Sequence, residues 1–292
     1  MTDVAAELTS LIEHLDASVS PGHAVAHSAT RLERHDFVRR SSFSDPPTRG
    51  FIADGGLLLA WRRGRKPGFR IIGAHTDSPG LRVKPRPDDG SVGWKQLGVE
   101  VYGGILNNSW LDRDLGVAGR LGLAGGGTVL VRTPGAVARV PQLAVHLDRD
   151  VNDKGLVLDR QTHLRPIWGL GSPSVGEFAR WIGGVAGIDP SSIKAWDLCL
   201  FDTNPAAVLG ADAELLASGR IDNQTSCWAA VEALVAATNE DGPTVVVALF
   251  DHEEVGSEST HGAAGPRLEW LLQSLHGGSG PDFHDSLAAS AC

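Results

Sequence analysis

The chain has 292 residues, 42% hydrophobic and 21% charged, a composition that fits a globular protein and excludes a disordered one. Asp and Glu (35) outnumber Lys and Arg (26), and a net charge of −9 argues against a broad nucleic-acid surface, which needs a basic stripe. The opening Met-Thr-Asp-Val-Ala-Ala-Glu-Leu lacks the features of a signal peptide, no apolar run is long enough to cross a bilayer, and three scattered cysteines make no disulfide framework, so a cytoplasmic protein is expected.

Val4, Leu8, Leu11, Ile12 and Leu15 recur at helical spacing and predict an opening amphipathic helix with its apolar face in the core. Apolar runs at 51–61 and 69–74 read as buried strands, the second stopping at His75. From about Lys84 to Asp212 the texture becomes rich in Gly, Pro and alternating Val and Leu, with strands expected at 97–102, 115–123 and 128–132 and a helix at 175–185. A helix over 224–237 follows, then Thr-Val-Val-Val-Ala-Leu-Phe over 244–250, a strand apolar on both faces. The stretch from Gly277 reads as loop until Leu287. The pattern is an α/β domain carrying a β-rich insertion.

Three segments concentrate metal-ligand residue types: Gly73-Ala-His-Thr-Asp-Ser-Pro79, Gly219-Arg-Ile-Asp-Asn223 and Phe250-Asp-His-Glu-Glu-Val-Gly256. The first and third follow apolar strands, and in open α/β sheets ligands bind where strands end at their carboxyl side. In His75-x-Asp77 the carboxylate can hold one ring nitrogen while the other binds metal. Taken alone, that pair reads first as a buried histidine capping a turn. Glu253 and Glu254 put two acids at the mouth of the sheet, where repulsion and desolvation destabilise them unless a cation is present; the competing reading is a solvated acidic turn. Asp222, by itself, reads as an ordinary helix N-cap. Together, a histidine, a central carboxylate and a Glu-Glu pair are the ingredients of a two-metal hydrolytic site.

With Trp110-Leu-Asp-Arg-Asp-Leu115 added, these segments follow one another in the order of the signature blocks of the M18 family of aspartyl aminopeptidases, which the chain resembles from its first helix to its last residue. The resemblance implies that His75 binds one metal ion, Glu254 another, and Asp222 bridges both. Glu253 would be the general base and Asp77 the partner that orients His75. His146, in Leu143-Ala-Val-His-Leu147, sits where the family has a histidine reaching into a neighbouring subunit's active site; read without the family, it is a strand histidine on a polar face.

The implied cofactors are two divalent ions, zinc first, with manganese or cobalt as substitutes. The implied reaction removes N-terminal residues, preferably Asp or Glu, from peptides, in a homo-oligomer that is twelve-membered in the family, with no nucleic-acid or membrane partner. The implied fold is an α/β metallopeptidase domain with a central mixed sheet flanked by helices, in two parts at 1–83 and 213–292, around a β-rich oligomerisation or lid domain at 84–212. The family's Asp-Met-Ala-His-like block and late histidine have no counterpart here. Weak metal binding, little turnover and an exposed strand at 244–250 are therefore expected of this chain, whether it is a fragment, a shortened gene product or a degenerate relative. Two rival readings are a dinuclear peptidase of the M42 or M20 type, against which the Trp110 block speaks, and a noncatalytic M18-like subunit.

Overall fold

The computed structural model describes residues 4–237 and 240–292. In chain order come helices α1 (Val4–Ala17) and α2 (Pro21–Glu33), then strands β1 (Val38–Arg39), β2 (Arg49–Asp54), β3 (Leu57–Arg62) and β4 (Lys66–His75). Next are β5 (Gly80–Ser91), β6 (Trp94–Tyr102), β7 (Leu115–Leu123), β8 (Thr128–Arg132), a short α3 (Val151–Lys154), β9 (Ile167–Leu170), α4 (Glu177–Ala186) and β10 (Ile193–Asp202). The chain closes with β11 (Ala207–Leu209), β12 (Leu215–Ala217), α5 (Ile221–Ala236), β13 (Pro243–Phe250), α6 (Arg267–His276) and α7 (Pro281–Ala288). Two compact units result, one of residues 1–78 and 206–292, the other of 79–205. The cut falls before residue 83 because 80–83 already belong to β5, and before residue 212 because the β11–β12 hairpin belongs to the first unit.

In the first unit, five of the described strands form a mixed sheet in the order β1-β2-β3-β13-β4. β13 runs parallel to β4 and antiparallel to β3. Its side chains alternate between two cores. Val247 and Leu249 pack with Val25, Leu32 and Val231 of the helices α2 and α5. Val246 and Ala248 pack with Leu271, Leu275 and Phe283 of α6 and α7 on the opposite face. This two-sided burial is why the run 245–250 is apolar at every position. The strand expected to be exposed is therefore internal; β4 is the edge, and on its free side Arg70 pairs with Ala291. The stretch expected to be loop after Gly277 holds α7, which Pro281 opens at its first position and which buries Phe283 and Ser286. No described helix is long and apolar enough to cross a membrane.

In the second unit, six described strands form an antiparallel sheet in the order β8-β7-β10-β5-β6-β9. Its first and last strands in sequence, β5 and β10, are neighbours, with Cys199 opposite Arg82. The core gathers Leu81, Leu97, Leu121, Phe178, Ile182 and Leu198, with α4 packed on the sheet. α4 is capped from a distance: the carboxylate of Asp88, on β5, accepts from Gly176 N (2.7 Å) and Phe178 N (2.8 Å).

Candidate metal centre

Because β4 and β13 are parallel neighbours with Phe250 opposite His75, both strands release their chains at one edge of the sheet. The loop after β4 carries Thr76 and Asp77, and the loop after β13 carries Asp251 to Glu254. A left-handed residue, His252 (φ 66°), turns the second loop at once into a short 3-10 turn, Glu253–Val255. Asp77, fully buried, joins the two loops: its carboxylate accepts from Glu253 N (3.2 Å) and Glu254 N (3.1 Å).

His75 Nδ1 lies 3.0 Å from the carbonyl oxygen of Asp77 and 3.3 Å from its Oδ1. Both are acceptors, so Nδ1 carries a proton and Nε2 is the nitrogen left for other work. Nε2 faces Asp222 Oδ1 at 3.3 Å and Glu253 Oε2 at 3.9 Å. Burial pulls the His75 pKa down, but the hydrogen bond and charge of Asp77, with Glu253 behind them, outweigh it and raise it to about 9. Burial raises Glu254, and the charges of Asp77, Glu253 and Asp222 push the same way, against His75.

Asp222 does not begin a regular helix. It and Asn223 have non-helical backbone (φ −82°, ψ 112° and φ −119°, ψ 29°), and its side chain is 81% exposed. Its carbonyl accepts from Ser78 Oγ at 2.9 Å. One ligand atom each from His75, Asp222 and Glu254 can be chosen so that all lie within 4.8 Å of one another. An imidazole whose far nitrogen is already held by a carboxylate, beside two further carboxylates, is a donor set that suits zinc. The residues present fit the ion.

Of the residues singled out by sequence, His75, Asp77, Asp222, Glu253 and Glu254 come together. His146 lies in the second unit on an exposed turn, not on a strand. Nearby in that unit, Asp112 Oδ1 accepts from Gln142 N at 3.2 Å. Sequence reasoning missed Thr76 and Asp251. Thr76 Oγ1 donates to the carbonyl of Gly56 (2.6 Å), and a Cβ on Gly56 would collide with the fully buried Asp251 carboxylate. The Gly55-Gly56 pair inside the apolar run 51–61 was the available signal.

The model of a family described as aminopeptidase I zinc metalloprotease (M18) matches residues 14–292. A Streptomyces coelicolor relative named "Probable M18 family aminopeptidase 2" is 46% identical, the match covering 97% of this chain and 68% of that protein. Among solved structures, Ape4 in its complex with Nbr1 superposes with a TM-score of 0.88 at 29% identity, over 97% of this chain and 61% of that one. The S. cerevisiae mApe1 dodecamer gives 0.78 at 27% identity, over 94% and 66%. The chain thus spans about two thirds of the proteins it matches.

Proposed function

We propose, because the chain belongs to the M18 family of aminopeptidases, that it serves as a zinc-dependent aminopeptidase removing N-terminal residues, by preference Asp or Glu, from peptides. The observation that carries this is the convergence of His75, Asp222 and Glu254, with Glu253 alongside. In this reading those three residues hold the metal, and Asp77 keeps the proton on His75 Nδ1 so that Nε2 is free to ligate. The Glu253 carboxylate takes the proton of the attacking water and returns it to the leaving amine. A bound zinc ion supplies Lewis-acid polarisation of the scissile carbonyl.

Two ions bridged by Asp222 are the reading taken from the family. The ligand group, with one atom from each residue within 4.8 Å of the others, suits one ion or a bridged pair. Metal analysis after purification without chelator separates them: two equivalents per chain or one. His146 is assigned to a neighbouring subunit's site in a homo-oligomer, supported by its exposed turn and by the dodecameric S. cerevisiae neighbour. The inserted unit would mediate those contacts, in the cytoplasm. Hydrolysis of Asp-, Glu- and Leu-linked chromogenic substrates tests the activity. With no counterpart in residues 1–292 for the family's Asp-Met-Ala-His-like block and late histidine, turnover is expected to be low and to rise when such a segment is supplied. A chain so extended that binds zinc but cleaves none of the three is a noncatalytic subunit, and the proposal fails.

A further inference from the structure

α5 does more than present Asp222. Gln224, the next residue but one, is fully buried and bridges two other segments of the same unit. Its Nε2 donates to the carbonyl of Thr76 at 2.7 Å, and its Oε1 lies 3.2 Å from His14 Nε2. Thr76 O accepts only, so the amide NH2 must face it, which leaves Oε1 to accept from an Nε2–H of His14. One turn on, Cys227 Sγ lies 3.0 Å from the carbonyl of His75. A carbonyl oxygen only accepts, so the thiol is the donor. The carbonyls of His75 and Thr76 are therefore both tied to α5.

The last turn of α1 grips the other side of Asp222. Arg220, two residues before it, donates from Nε to Ser18 O (3.1 Å) and from its guanidinium NH2 to Leu15 O (3.3 Å). His14, Leu15 and Ser18 thus bracket Asp222 through Arg220 on one side and Gln224 on the other. The Asp222 side chain is too exposed, at 81%, to fix its own position. Its distance from His75 Nε2 is held by these anchors together with the Ser78 Oγ bond to its own carbonyl.

We infer that Gln224 and His14 are positioning residues for the metal centre: through Thr76 they fix the spacing of His75 from Asp222, and with it the affinity for the ion. This rests on the metal-site reading above. Neither residue touches the ligand atoms, and a glutamine two residues after an aspartate reads in sequence as ordinary helix. Removing a group that orients a metal ligand commonly lowers affinity by about 10- to 100-fold.

The test measures zinc affinity by calorimetric titration, the visible spectrum of the cobalt-substituted chain, and the melting temperature of the metal-free chain. Gln224→Met and His14→Leu are expected to bind zinc about 10- to 100-fold more weakly and to shift the cobalt bands. His14→Gln offers an amide N–H to Gln224 Oε1 and should return affinity to within a few-fold of wild type. The His14 pair keeps the test readable if Gln224→Met does not fold. Trp61→Phe, which removes a buried donor to Pro47 O in the same unit, is the control: its melting temperature falls while its zinc affinity stays. Unchanged affinity and cobalt spectra in Gln224→Met and His14→Leu overturn the inference and leave the metal site standing, as does a control that loses affinity in step with stability. A wild-type chain that binds no zinc removes both.

Discussion

At the scale of single residues, Asp222 and Glu253 are separable by isosteric change. Asp222→Asn is expected to abolish metal binding, since an amide does not neutralise a cation; were Asp222 a cap, Asn would serve nearly as well. Full metal content in that variant, measured by atomic emission, sinks the ligand role. Glu253→Gln should hold its metal and lose turnover, because the amide keeps the shape and cannot accept a proton. His75 adds a pH signature. Raised to about 9, it is protonated at neutral pH, so zinc must displace that proton and affinity should climb with pH until His75 titrates. Calorimetry at neutral pH in buffers of different ionisation enthalpy should show a release of about one proton per chain. Gly56→Ala, which drives a methyl into the Asp251 carboxylate, should lower stability by about 1–3 kcal/mol, read from urea unfolding.

At the scale of elements, what the sequence made legible followed from periodicity. β13 announced itself because both of its faces are buried, and the acids after it were conspicuous for being acids beyond the unbroken apolar run 245–250. His75 and Asp77 were found because β4 ends abruptly at a histidine. α7 was not legible: it is short, and its buried residues Phe283 and Ser286 make no sustained apolar stripe among Asp282, His284 and Asp285. Phe283→Ala is nonetheless expected to cost about 3–5 kcal/mol in thermal or urea unfolding, because its ring fills the core against α6 and the sheet. The role of Gln224 was hidden for a different reason. Its partners, His14 and Thr76, lie far off in sequence, and no local pattern marks a polar side chain that is satisfied only by distant residues.

At the scale of the whole molecule, His14 imposes an acid limit. Burial, with His27 adding to it, lowers its pKa to about 4 from 6.5, so between those values the unfolded chain binds a proton that the folded chain does not. Stability is complete above pH 6.5 and declines as pH falls towards 4, by up to about 3 kcal/mol from this group. His14→Gln should flatten that part of the profile; an unchanged slope removes His14 as its source. The core of the second unit lies wholly within 79–205, so that segment expressed alone should unfold cooperatively, checked by calorimetry. The adjacency of β5 and β10 has a kinetic consequence. Pairing β4 with β13 must close a loop that contains the entire second unit, an entropic cost that grows with loop length. Once Arg82 sits opposite Cys199, the entry and exit of that loop are held side by side and most of the closure is complete. The inserted unit is thus expected to form first and to shorten the loop that β4–β13 pairing must close. In stopped-flow refolding, burial of Trp181 and Trp196 in the 79–205 core should precede the acquisition of zinc-binding competence. Core truncations such as Phe178→Ala should delay that competence, although Phe178 is no part of the site.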